Sequence, residues 1–86
     1  MSIKIHIDVT LLPLTGGQSI VEVKGERVSQ CLEELRAQFP GLKQMFDNEG
    51  NLWSDISLYL NRHSIYSDQP VKDGDELTIE VGVAGG

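Results

Sequence analysis

Cysteine, positive charge and long apolar runs are all scarce in this chain of 86 residues. The single cysteine, Cys31, cannot form an intramolecular disulfide, which is typical of a reducing compartment. Seven basic residues against thirteen acidic ones give a formal charge of −6, which opposes binding to nucleic acid or an anionic membrane. There is no apolar run of bilayer-spanning length and no secretion signal at the N-terminus. We therefore expect a cytoplasmic protein that binds neither nucleic acid nor membrane.

The motifs that usually carry chemistry are also missing. Gly16-Gly17 is followed by neither the lysine nor the helix start of a phosphate-binding loop. His6 and His63 are far apart and belong to no cluster with metal-ligand spacing, so surface roles are predicted. A chain of this length makes one domain, which is small for an enzyme with its own enclosed pocket. We predict no bound cofactor, no metal site and no catalytic activity of its own.

Cys31 and Trp53 could each have either a structural or a functional role. Cys31 lies three residues after Val28, at the edge of an apolar stripe, and its acidic neighbours Glu33 and Glu34 oppose thiolate formation. We therefore predict a buried structural cysteine. Trp53 fits either packing over the core or an exposed anchor for a partner, and packing is the interpretation we favour.

Alternation of apolar and polar residues predicts the strands at the start of the chain. Ile3 to Val9 alternates with period two, as expected for a strand with one buried face. Thr15-Gly16-Gly17 favours a tight reversal, after which Val21 and Val23 are the inward pair of a returning strand. The first element is therefore predicted to be a β-hairpin.

The middle of the chain has helical periodicity, which Pro40-Gly41 ends. The stripe consists of Val28, Leu32, Leu35 and Phe39. A further helical turn that covers the end of the core is predicted from Leu42, Met45 and Phe46. Residues 47–51 form a predicted polar loop.

The second half of the chain again alternates. Ile56 to Leu60 predicts a third strand, Asn61-Arg62-His63 a turn, and Ile65-Tyr66 a short edge strand. The last strand contains Leu77, Ile79, Val81 and Val83. These elements predict an α+β fold in which a mixed sheet of four to five strands packs on one main helix. Residues 1–83 would form the domain, with the first and last strands side by side in mid-sheet, and residues 84–86 a flexible tail.

Acidic residues are concentrated just before the tail. The segment from Asp68 to Glu80 contains five of them and one lysine, Lys72. Such a run is usually a solvated surface. Because this one leads into the tail, it could also guide docking to a basic partner surface.

The chain ends on Gly85-Gly86, and this is the strongest candidate for a working site. Glycine has no β-carbon and no fixed φ, so such a tail can thread a narrow channel and leave its acyl carbon open to attack. The alternative is a frayed end that is glycine by chance, which average usage gives in about 0.5% of chains. A carboxylate is a poor acyl donor and needs activation by another protein, most simply as an acyl-adenylate. A sulfur nucleophile can then displace the adenylate.

The C-terminal motifs resemble a known family. Asp73-Gly74-Asp75-Glu76-Leu77 and Val83-Ala84-Gly85-Gly86 are similar to those of the β-grasp, ubiquitin-like sulfur carriers, which include the small subunit of molybdopterin synthase and the thiamin-pathway carrier. The resemblance covers nearly the whole chain. It implies that an E1-like adenylyltransferase uses ATP to activate Gly86, which then becomes a thiocarboxylate, while Val83, Ala84 and Gly85 line the partner's channel.

Three further segments resemble the branch that supplies sulfur for cysteine biosynthesis: Pro13 to Gln18, Phe39 to Leu42, and Leu58 to Asn61. That branch implies a pyridoxal-phosphate synthase as sulfur acceptor and a JAMM-type metallopeptidase that releases the cysteine. Glu80-Val81-Gly82 stands where relatives commonly have a proline, so a more mobile exit from the sheet is expected.

Three alternatives stay open at this point: the small subunit of molybdopterin synthase, bound to its large subunit; a ubiquitin-like modifier of lysines; and an interaction module with an inert tail. Since nothing follows Gly86 in the sequence, we expect no proteolytic maturation.

Overall fold

The structure, a computed structural model, describes residues 2–45 and 56–82. Within these ranges there are five strands, one α-helix and two 3-10 helices. The strands and the α-helix are β1 (Ser2–Ile7), β2 (Ile20–Lys24), α1 (Val28–Gln38), β3 (Ile56–Leu60), β4 (His63–Ile65) and β5 (Glu76–Val81). The 3-10 helices are Val9–Leu14 and Pro40–Met45. None of the helices in the described ranges is long and apolar enough to cross a membrane.

The five strands form one mixed sheet in the order β2-β1-β5-β3-β4. β5 is the central strand, parallel to β1 and antiparallel to β3. The β1–β2 and β3–β4 pairs are both antiparallel. The predicted mixed sheet on one main helix is confirmed, as are the first hairpin and the placement of the first and last strands side by side.

The core lies between α1 and one face of the sheet. Period-two alternation in β1 and β5 directs every second side chain to this face, and the stripe of α1 covers it. The fully buried aliphatic residues of α1 and of strands β1, β2 and β5 are Ile3, Ile5, Val23, Leu35, Leu77 and Ile79. Leu42 in the second 3-10 helix is also fully buried, which confirms the predicted cover of the core at this residue. Each such side chain contributes about 1.5–3 kcal/mol through removal from water.

β1 ends at Ile7, and the prediction that the strand continues to Val9 is wrong. The Asp8 carboxylate accepts hydrogen bonds from the Thr10 amide, at 2.9 Å, and from the Thr10 hydroxyl, at 2.8 Å. These bonds cap the first 3-10 helix and turn the chain away from the sheet. Val9 is therefore 73% exposed. The hairpin is closed by this 3-10 helix together with Gly16 and Gly17, whose φ angles are 63° and 84°.

The edge strand begins earlier than predicted. Asn61 and Arg62 both have positive φ and form a two-residue turn, so pairing with β3 resumes at His63. His63 therefore belongs to the strand rather than to the turn, and Tyr66 follows the strand and is exposed. Phe46, the loop 47–51 and Trp53 lie outside the described residues, so the predictions for them stay predictions.

Candidate functional site

The predicted working residues, Val83, Ala84, Gly85 and Gly86, lie outside the described residues. The structure does describe the strand that leads to them, through Val81 and the exposed Gly82. These two residues form the base of the tail.

β5 holds the tail's base at the centre of the sheet. On one side its register with β3 runs from Leu60↔Leu77 to Ile56↔Val81. On the other side its register with β1 runs from Lys4↔Glu76 to Ile7↔Ile79. From Glu76 to Ile79, β5 is therefore paired on both sides, and its backbone hydrogen bonds are satisfied there, which makes this part of the strand a rigid platform.

A side chain continues this platform where β1 has ended. The Val81 amide donates a hydrogen bond of 2.9 Å to Asp8 Oδ2, while Asp8 Oδ1 accepts the two bonds from Thr10. These contacts, the Thr10 amide first and the Val81 amide second, hold the pKa of Asp8 below its usual value. Sequence reasoning missed this residue. The available signal was an aspartate two residues before a threonine at the end of an alternating run.

The sheet face opposite α1 carries polar and partly exposed side chains. The paired registers align Ile20, His6, Thr78, Tyr59 and Ser64 in one row across all five strands. His6 Nε2 contacts Glu76 Oε1 on this face, which agrees with the predicted surface role of His6. Ile20, next to the end of β1, is 48% exposed.

The acidic segment is chiefly a set of hydrogen-bond acceptors. Asp73 accepts a bond from the Ser2 amide, at 2.8 Å. Asp75 accepts bonds from the Lys72 amide, at 2.8 Å, and from Asn61 Nδ2, at 3.1 Å, and these two donors lower its pKa. Asp68 similarly accepts a bond from the Ser29 amide at the start of α1. These carboxylates fasten the loop before β5 to the rest of the fold, which is a structural role the sequence did not predict.

Cys31 lies in the core, with no exposed surface, as predicted. Burial is the main cause of the raised pKa of its thiol, and the carboxylates of Asp68 and Glu34 raise that pKa further. A thiol in this setting is kept protonated and shielded from other molecules. The structure therefore supports a packing role for Cys31.

Together these features define a class of protein. The described residues form a five-stranded mixed sheet with a parallel pair at its centre, one main helix after the first hairpin, and a central strand that is the last in the sequence. This arrangement is the β-grasp, ubiquitin-like fold. The chain belongs to the ThiS family, whose sequence model matches residues 9–86. The match includes both terminal glycines. The predicted resemblance to the ubiquitin-like sulfur carriers is confirmed.

Individual relatives agree with this assignment. The chain is 28% identical over 93 residues to the sulfur carrier protein CysO of Mycobacterium tuberculosis H37Rv, with full coverage of both. A chain of the crystal structure of the Amycolatopsis orientalis BexX/CysO complex is 33% identical, with a TM-score of 0.86 and coverage of 98% of this chain and 99% of that one. Haloferax volcanii SAMP1 has a TM-score of 0.88 at 24% identity, with full coverage of both chains, which shows the shared fold.

Proposed function

We propose that this protein is a sulfur carrier whose Gly86 carboxylate is adenylated by an E1-like enzyme and converted to a thiocarboxylate. The observation that carries the proposal is the family match that extends to Gly86 on a chain whose last strand is the central one. Residues 82–86, which comprise Gly82, Val83 and the predicted tail, follow the last strand, and five extended residues span at most about 17 Å. That length would carry the acyl carbon into an enclosed active site while the folded domain stays outside.

The chemistry belongs to the partner enzymes. A carboxylate oxygen of Gly86 attacks the α-phosphorus of ATP, an O–P bond forms, and pyrophosphate leaves. A sulfur nucleophile then attacks the carbonyl carbon and adenylate leaves. With hydrosulfide as the nucleophile, the product is the thiocarboxylate itself. Glycine suits both steps because neither a β-carbon nor a restricted φ hinders access to the carbonyl. The carrier is thus a co-substrate.

We further propose that the sulfur is used for cysteine or a related amino acid. The similarity to two CysO proteins supports this recipient, and the BexX/CysO structure supports a protein partner, because a relative is seen there in a complex. The acceptor would be a pyridoxal-phosphate synthase that presents an aminoacrylate, with a JAMM-type metallopeptidase to release the product. The large subunit of molybdopterin synthase is the competing acceptor.

The activation step is tested by ATP–pyrophosphate exchange. An E1-like enzyme should catalyse exchange that depends on this protein, and Gly86→Ala should lose most of it because the added methyl group restricts φ and crowds the channel. Unchanged circular dichroism would show that the variant is folded. Equal exchange by the variant and the original protein would contradict the role of Gly86.

The acceptor is tested separately with the thiocarboxylated protein. Incubation with the pyridoxal-phosphate synthase and its amino-acid substrate should consume the thiocarboxylate, whereas incubation with the molybdopterin synthase large subunit and its pterin substrate should not. The reverse result would overturn the proposed recipient and leave the carrier role in place.

A further inference from the structure

The end of β5 depends on a side chain for its last hydrogen bond. The β1–β5 register reaches Ile7↔Ile79, and the chain then turns into the first 3-10 helix. The Val81 amide, two residues further along β5, donates to Asp8 Oδ2 at 2.9 Å. The carboxylate thus takes the place of a strand acceptor. It does so at the last residue of β5, one residue before the exposed Gly82.

The carboxylate is itself held in place. Its second oxygen accepts bonds from the amide and hydroxyl of Thr10, at 2.9 and 2.8 Å. One side chain therefore joins the start of the 3-10 helix to the end of the central strand. A charged acceptor with three donors fixes the position of the backbone more firmly than a neutral acceptor with one.

This bond lies where the chain passes from the folded domain to the tail. A partner that binds the domain and the tail together needs a fixed distance and direction between the docking surface and Gly86. While the partner's channel holds the tail extended, a rotation of about 10° at its base displaces the end of a segment about 17 Å long by about 3 Å. Errors of about 1 Å in the placement of a reacting group can cost about 100-fold in rate. Movement of the backbone at Val81 would therefore lower the rate of the reaction at Gly86.

We propose that Asp8 is a positioning residue for activation of Gly86, because its bond to the Val81 amide sets where and in which direction the tail leaves the sheet. This inference rests on the proposed carrier function. Asp8 acts on the reaction through β5 and the tail. Its removal should therefore lower kcat for adenylation of the carrier, while KM for the carrier, which reports docking of the domain, changes little.

The test compares Asp8→Ala with Asp8→Asn and with Asp68→Ala in the ATP–pyrophosphate exchange assay. Asp8→Ala should lower kcat about tenfold with KM within about twofold, and Asp8→Asn, which keeps an acceptor oxygen, should recover part of the loss. Asp68 is the matched control, because its carboxylate also accepts an amide, a hydroxyl and a third donor, but at the start of α1. Asp68→Ala should lose stability and keep kcat.

Amide hydrogen exchange tests the bond between Asp8 and the Val81 amide without any enzyme. In Asp8→Ala the Val81 amide should exchange at least about tenfold faster, while the Leu77 and Ile79 amides keep their protection. An unchanged Val81 amide, or a kcat for Asp8→Ala equal to that of the original protein, would overturn the positioning role. If the original protein supports no exchange reaction, the carrier function itself fails and the positioning role fails with it. A loss of kcat in Asp68→Ala as large as in Asp8→Ala would assign the effect to stability alone.

Discussion

Removal of the Asp68 carboxylate should destabilise the fold by about 1.5 kcal/mol. This carboxylate accepts bonds from the Ser29 amide at 2.8 Å, the Ser29 hydroxyl at 2.9 Å and Arg27 Nε at 2.9 Å. It therefore caps α1 from a distant loop, because the N-cap residue, Arg27, carries no acceptor oxygen of its own. A lost cap costs about 1 kcal/mol. The ion pair adds about 0.5 kcal/mol, since its two side chains are 39% and 48% exposed.

The effect should depend on pH. The pKa of Asp68 is lowered from 3.8 to about 2, first by the Arg27 hydrogen bond. A carboxyl whose pKa is lowered by folding stabilises the folded state fully at pH values above its pKa in the unfolded chain. This stabilisation is lost as the pH falls through its pKa in the folded protein. The full shift corresponds to about 2.4 kcal/mol, which solvent screening at this exposure reduces to about 1 kcal/mol. The difference between Asp68→Ala and the original protein should therefore shrink between about pH 4 and pH 2.

Urea unfolding followed by far-ultraviolet circular dichroism measures both effects. With a slope of about 1 kcal/mol per molar urea, Asp68→Ala should lower the midpoint at pH 7 by about 1.5 M. Asp73→Ala is the control, because Asp73 accepts a single bond from the Ser2 amide and should cost about 0.5 kcal/mol. Equal midpoint shifts for the two variants at pH 7, or an Asp68→Ala shift at pH 2 as large as that at pH 7, would contradict the capping role of Asp68.

Other predictions concern local strain and burial. Arg62→Gly should raise the free energy of unfolding by about 0.5–1 kcal/mol, because a φ of 73° suits glycine; a lower urea midpoint would contradict this. Gly25→Ala should lower the free energy of unfolding by about 1–2 kcal/mol, because the new Cβ would lie 3.0 Å from the Cys31 Sγ and 3.1 Å from the Cys31 amide nitrogen. Gly41→Ala is the control and should cost much less, because its Cβ would lie 3.5 Å from the nearest atom, in Leu14. The Cys31 thiol should react with an aromatic disulfide reagent only at the rate of unfolding, and rapid labelling of the folded protein would refute its burial.

The strands were predictable where one face is buried over several residues. Ile3, Ile5 and Ile7 alternate because β1 packs one side on the core, and the same reasoning located β5. The prediction failed at Val9, because the hydrogen bonds of Asp8 to Thr10 compete with continuation of the strand. Periodicity reports which face is buried, and a local side-chain bond can end an element without changing that pattern.

Long-range contacts account for most of what the sequence did not show. The bond between Asp8 and Val81 joins residues 73 positions apart, and the bond between Asp68 and Ser29 spans 39 positions. An acidic residue looks the same in a sequence whether it is solvated or accepts a buried amide. The candidate site at Gly86 was inferred from the chemistry of a terminal glycine. The bond from Asp8 to the Val81 amide, by contrast, could be found only once the sheet register was known.

The most direct test of the carrier function is the mass of the intact protein after incubation with an E1-like enzyme, ATP and hydrosulfide. We expect that one oxygen is replaced by sulfur, that fragmentation locates the sulfur on Gly86, and that omission of ATP prevents the change. A mass that stays the same with enzymes that activate other ThiS-family carriers, or sulfur found at Cys31 instead of Gly86, would contradict the carrier function.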